Sequence, residues 1–234
     1  NGAGKSTLSN LITGFYPLQT GELLWKNQSI AYESIKERAD KIGYVLQNSN
    51  QMLSKNMIFE EVALVLENRG IEADKIKERV FDTLKVCGLY EFRNWPISAL
   101  SHGQKRRVAI AAILVLEPEL LILDEPTAGQ DYYHYNEMMN FLRKLNQRGI
   151  TILMITHDMH LMLEHTQRTL VLKEVEIIAD ETPAKVLSSA ELVNSASLRQ
   201  TSLYHLAKNN DLIDATGFVS AFIRYDKGGA YGGK

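Results

Sequence analysis

A chain of 234 residues with 45% hydrophobic content can form one large or two small domains with a buried core. Its formal charge of −2, from 26 basic and 28 acidic side chains, excludes the broad basic footprint of a nucleic-acid binder. One cysteine, Cys87, excludes an internal disulfide framework and fits a reducing compartment. The longest apolar run, Val108 to Leu116, is too short to span a bilayer.

The chain opens on Asn1-Gly2-Ala3-Gly4-Lys5-Ser6-Thr7, followed by the helical pattern Leu8 to Ile12. This is the end of a G-x-x-x-x-G-K-[ST] phosphate loop, whose first glycine would lie just before Asn1. The chain is therefore read as a fragment lacking an upstream strand. Glycines let backbone N–H groups turn inward around phosphate oxygens, and the helix N-terminus adds partial positive charge. Lys5 is expected to reach the β/γ-phosphates and the Ser6 hydroxyl to ligate Mg²⁺.

Helix 1 is expected to end near Gly14, with Pro17 beyond it. Gly21 to Trp25 reads as a short strand, Ser34 to Ala39 as a helical turn, and Lys41 to Leu46 as a strand delivering Gln47. A neutral glutamine there can touch a Mg²⁺-bound or attacking water without adding charge. From Met57 to Leu89 the period turns helical. Phe59, Val62, Ala63 and Leu66 share one face, Ile76, Val80, Phe81 and Leu84 another, and Gly70 separates them. This block reads as a helical subdomain inserted between Gln47 and Ser101, and an apolar groove beside Gln51 to Phe59 is the place for a docking helix.

A polar turn, Ser101-His102-Gly103-Gln104, then precedes a helix. Leu120-Leu121-Ile122-Leu123 reads as a strand buried on both faces, ending in the adjacent carboxylates Asp124 and Glu125. Acids at the carboxyl end of such a strand sit where open α/β sheets bind ligands. Tyr132 to Gln147 is helical with Gly149 as terminator, and Ile150 to Thr156 is another buried strand, ending in His157. His157, His160 and His165 do not make a metal site, because His160 falls on a following helix and no further ligand completes a tetrahedral set. Leu170 to Leu172 and Val175 to Ile178 read as a hairpin, followed by Pro183 with a short helix. Two further helical patterns lie between Ser197 and Tyr225, and Lys227 to Lys234 has the composition of a disordered end.

Together these residues resemble the ATPase family of ABC transporters. Asn1–Thr7 resembles a Walker A motif, Gln47 a Q-loop glutamine, and Leu100-Ser101-His102-Gly103-Gln104 the LSGGQ signature. Leu120–Glu125 is similar to Walker B with its catalytic glutamate, Ala128–Asp131 to the D-loop, and His157 to the switch histidine. All occur in family order. Within the family the chain is most similar to the ATPase subunits of energy-coupling factor (ECF) transporters. PTAGQDYYHY, ITHDMHLML and the TSLYHLA tail resemble the second half of tandem two-cassette members.

The resemblance implies an α/β P-loop NTPase fold: a largely parallel sheet with flanking helices, an inserted helical subdomain and a C-terminal helical extension. The ATPase domain is expected over residues 1–187, its helical subdomain over about 50–115, the extension over 188–226, and a disordered tail over 227–234. It implies ATP and Mg²⁺ as ligands and a head-to-tail dimer with a second cassette. The dimer would couple to a transmembrane subunit and a substrate-binding membrane subunit at the cytoplasmic membrane face, importing a vitamin or metal ion. Asn1, Gly2, Ala3, Gly4, Lys5, Ser6 and Thr7 would then hold ATP from one side, and Ser101, Gly103, Gln104 and Asp131 the partner's ATP. Ser6, Gln47 and Asp124 would serve Mg²⁺. Glu125 would polarise the attacking water, with Gln47 and His157 completing the catalytic set.

The chain departs from the family pattern at four positions. His102 stands for the first signature glycine, Gln130 for the D-loop leucine, and Val175 and Glu181 for turn glycines. Soluble ABC ATPases of DNA repair carry a long coiled coil, absent here, and those of translation need basic segments, which the charge does not support. A non-hydrolysing regulatory module need not keep Glu125, Gln47 and His157.

Overall fold

The computed structural model describes residues 2–196, 198, 202–210 and 214–229. Its contacts form two compact units, residues 7–155 and residues 156–234 with 1–6.

The 7–155 unit is built on three parallel strands in the order β3 (Ile42–Val45), β4 (Leu120–Asp124), β5 (Thr151–Ile155). The register runs Ile42↔Leu120 to Val45↔Leu123, and Leu120↔Thr151 to Asp124↔Ile155. Side chains alternate between the two faces of such a sheet. On one face Ile42 and Ile122 pack with Ile30, flanked by Ile12 of α1 (Lys5–Thr13), Tyr44 and Leu153. On the other, Gly43 and Leu121 meet Ile113 of α5 (His102–Leu114). Helices on both faces explain why β4 is apolar without alternation.

Gly43 marks how closely α5 approaches. A Cβ there would lie 2.3 Å from the Ile113 Cγ2 and 3.0 Å from the Leu121 Cδ1. Gly43→Ala should cost about 1–3 kcal/mol in urea unfolding. Most of that cost should vanish on an Ile113→Ala background, where the clashing methyl is gone. Equal costs on both backgrounds would contradict the packing.

The first strand is shorter than expected. Leu24–Trp25 (β1) pairs with Gln28–Ser29 (β2), with one further bond from the Ile30 N–H to the Leu23 carbonyl at 2.9 Å, across a turn in which Lys26 and Asn27 have φ of 50° and 65°. Gly21 has φ 88°, outside the strand region, so the pairing cannot extend back to it. The helical turn is α2 (Ile35–Arg38), started by a capping box between Ser34 and Glu37. The buried Arg38 guanidinium donates to the carbonyls of Leu11 and Ile12, tying off the end of α1 beside Gly14 (φ 87°).

The inserted helices are α3 (Ile58–Glu67) and α4 (Ala73–Val86), separated at Gly70, whose φ is 70°. Val62, Ala63, Leu66, Val80 and Leu84 are fully buried, and α3 packs on both α4 and α5. Cys87, just past α4, is buried, and burial pushes its thiol up to about 12. Helix α6 (Tyr132–Gln147) packs on β5 and gives way at Gly149, φ 97°.

The other unit contains α7 (Met159–His165), a hairpin of β6 (Thr169–Lys173) and β7 (Glu176–Glu181), then α8 (Pro183–Ser188), α9 (Ala190–Ser195), α10 (Ser202–Asn209) and α11 (Ala215–Gly229). Its core joins Met162 and Leu163 to Val171, Val186, Leu187 and Val219. The segment beyond residue 188 thus shares a core with α7 and β6. Helix α11 continues through Lys227–Gly229, into the expected tail, because extending a formed helix costs far less than nucleating one. Residues 230–234 of that expectation lie outside the described residues.

Candidate functional site

In the unit containing residues 1–6, Gly2 and Gly4 take φ of 79° and 94° immediately before α1. Left-handed turns of this kind point successive N–H groups to one side, a cradle for an anion. Space requires glycine as well. A Cβ on Gly4 would lie 3.3 Å from the Val175 Cα and 3.4 Å from its Cγ1, and the Val175 N–H donates to the Ala3 carbonyl at 3.3 Å. Val175 itself has φ 69° and Glu174 49°, so the β6–β7 turn closes in a left-handed form although a β-branched residue replaces the expected glycine. Asn1 lies outside the described residues. His157 is exposed beside a fixed turn. The Asp158 N–H donates to the Thr156 hydroxyl at 3.0 Å, and the Asp158 carboxylate caps α7 through the N–H groups of His160 and Leu161.

In the 7–155 unit, β4 delivers Asp124 and Glu125. Glu125 has φ 47°, uncommon outside glycine, and is 9% exposed. Its N–H donates to the Ile155 carbonyl at 2.8 Å and its carbonyl accepts from Ala128 at 3.2 Å. A strained backbone held by its neighbours at a strand end is where function is to be sought. Tyr44, on β3, hydrogen-bonds through its hydroxyl with both Ser9 of α1 and Asp124. Burial, then the Asp124 charge, pushes its phenol up, against the lowering effect of Ser9. Tyr44 therefore stays a neutral donor that orients the Asp124 carboxylate.

Gln47 is exposed just past β3, and its carbonyl accepts from Arg106 Nη2 at 3.1 Å. The Arg106 Nη1 donates to the Pro126 carbonyl, directly after Glu125. The signature turn is a capping box: the Gln104 N–H donates to Ser101 Oγ at 3.2 Å, and the Ser101 N–H to Gln104 Oε1 at 2.9 Å. That reciprocity explains the S-x-x-Q spacing, and it turns the Gln104 oxygen onto its own backbone. The Ser101 oxygen accepts in the box, so its proton remains available to a ligand. A Cβ on Gly103 would come no closer than 3.9 Å to anything, the nearest atom being His134 Cδ2. His134 donates its N–H to the Asp131 carboxylate at 2.9 Å and pairs with it through Nδ1 at 2.8 Å. The backbone bond first, then the ring, holds the Asp131 carboxyl below its usual range. Signature and D-loop residues thus meet at His134.

A groove of about 220 Å³ opens between the segment after Gln47, α3 and α5, its wall apolar at Met52, Leu64, Val65 and Ile113 and polar at Glu61 and Asn68. It lies beside the Gln51 to Phe59 stretch where an apolar groove is expected.

Gly2 to Ser6 and His157 therefore belong to one unit, and Thr7, Gln47, Ser101 to Gln104, Asp124, Glu125 and Asp131 to the other. Tyr44, Arg106 and His134 were not foreseen from the sequence. The one available signal was the Arg106–Arg107 pair directly before the apolar run Val108 to Leu116. Within the 7–155 unit, a carboxylate oriented by a neutral phenol is chemically suited to a hard cation. No helix among the described residues is long and apolar enough to cross a membrane.

A model of the ABC transporter family matches residues 1–128. Candidate ABC transporter ATP-binding proteins of Enterococcus faecalis and Clostridium perfringens are 61% and 58% identical over 97% of the chain. The chain spans about 40% of the length of each. Among solved structures, CbiO1 of Clostridium perfringens, described as part of the ABC transporter complex CbiONQ, is 35% identical with a TM-score of 0.76. That match covers 89% of this chain and 84% of the other.

Proposed function

Because the chain belongs to the ABC transporter family of ATP-binding domains, with the family's α/β P-loop fold, we propose that it is an ATPase motor of an ECF-type importer. The observation that carries hydrolysis is Glu125, a nearly buried carboxylate on a left-handed backbone beside Asp124. In this reading the Gly2–Ser6 backbone and Lys5 would bind the phosphates, and Ser6, Gln47 and Asp124 would hold Mg²⁺. Held there, Mg²⁺ would supply charge neutralisation at the phosphate oxygens. Glu125 accepts the proton of the attacking water, Gln47 orients that water, and His157 donates to the transferred phosphoryl.

Ser101, Gly103 and Asp131 serve the nucleotide of a second cassette, because the α5 N-terminus offers anion-binding N–H groups together with the free Ser101 proton. The relatives leave well over half their length for such a cassette. The groove beside α3 and α5 suits an apolar helix of a membrane coupling subunit, which would bring this chain to the cytoplasmic face of the membrane. Likeness to CbiO1, part of the ABC transporter complex CbiONQ, supports a transport role, and a vitamin or metal ion is the cargo that the ECF resemblance implies.

The test is the full-length protein co-expressed with its membrane subunits. It should co-purify with them, hydrolyse ATP, and accumulate a labelled vitamin or metal ion in vesicles. ATP hydrolysis without membrane subunits or accumulation would leave a soluble ATPase.

A further inference from the structure

We propose that Arg106 is a positioning residue that ties the signature turn to the hydrolytic groups of the same chain, so that one nucleotide governs turnover of the other. This rests on the ATPase reading above. Arg106 lies on α5 just over one turn beyond its N-cap, Ser101, and is only 4% exposed. Its guanidinium is gripped by main-chain carbonyls, of Pro126 on one side and of Gln47 on the other. Burial disfavours its charge, lowering its pKa.

A cation taken out of water and met by neutral carbonyls is an expensive way to fill space. What the arrangement achieves is geometric. Pro126 follows Glu125, whose backbone is already left-handed, and Gln47 is the strand-end glutamine. A planar fork with diverging N–H groups can hold two carbonyls at once, whereas an ammonium on a flexible stem holds one direction poorly. Any shift of the signature end of α5 therefore pulls on the Glu125 and Gln47 segments together. A nucleotide meeting Ser101 belongs to the opposite cassette's site, while Glu125 and Gln47 act on the chain's own. Arg106 is the side chain where these two sites share a part.

The experiment uses the assembled transporter. Arg106→Lys keeps the charge and loses the fork, and Arg106→Met removes the buried charge, so at least one variant should fold. Rate against ATP concentration should show kcat lowered by about 10–100-fold, nucleotide affinity within about twofold of wild type, and a Hill coefficient falling toward one. Arg106→Met should do this without a lower melting temperature. A variant that loses stability and kcat while keeping the wild-type Hill coefficient would show Arg106 to be merely structural and overturn the proposal. So would wild-type kinetics in either variant, or a wild type without cooperativity. A wild-type complex with no ATPase activity would instead overturn the functional reading itself.

Discussion

Glu125→Gln in the assembled complex is expected to leave ATP binding within about twofold of wild type and to lower turnover by about 10²–10³-fold. The substitution keeps the shape and the hydrogen-bonding reach of the side chain but removes the proton acceptor. The backbone at this position is held independently of the side chain, by the Ile155 carbonyl and the Ala128 N–H, so its φ of 47° should survive. The loss should therefore appear in kcat rather than in KM, as for an interaction made in the transition state. Single-turnover hydrolysis alongside equilibrium nucleotide binding separates the two. Wild-type-like turnover would remove Glu125 from the mechanism.

Leu121→Ala should cost about 2–5 kcal/mol of stability. Leu121 is fully buried on the central strand of the parallel sheet, partnered by Gly43 on one side and Ile152 on the other. Gly43 has no side chain to move into the space, and Ile113 is already pressed against the glycine. The site therefore collapses poorly, which places the cost toward the upper part of that range. The urea midpoint should fall with an unchanged m-value. Leu170→Ala, at a 37% exposed position, is the control and should move it little. Equal shifts for the two would mean that Leu121 is not at the centre of a packed sheet.

The strands and helices of the sheet were legible because their apolar runs were long and their ends carried glycine. Gly14, Gly70 and Gly149 all sit in left-handed turns just past a helix. The first strand is shorter than its apolar run suggests, because Gly21 and a two-residue hairpin turn confine the ladder to Leu24 and Trp25, with one further bond at Leu23. The residues proposed to carry the chemistry were legible as motifs, since the phosphate and water chemistry proposed for them demands particular groups at strand and helix ends. Tyr44, Arg106 and His134 were not, because their roles depend on contacts between segments distant in sequence. A tyrosine in a strand reads as packing until the carboxylate beside it is seen. The cap that Gln104 makes with Ser101 shows in the S-x-x-Q spacing, whereas its expected place beside a nucleotide rests on the family resemblance alone.

The contact between Val175 and the Ala3–Gly4 turn bears on the order in which the protein is made. Residues 1–6 share their compact unit with residues 156 onward, so the earliest part of this stretch to leave the ribosome waits for one of the latest. Until the β6–β7 turn emerges, the glycine loop lacks the valine that braces it, whereas the strands of the 7–155 unit can already pair. Synthesis from the N-terminus thus delays a finished glycine loop until the hairpin has been translated. A nascent chain halted before Val175 would carry the whole loop sequence and lack its brace.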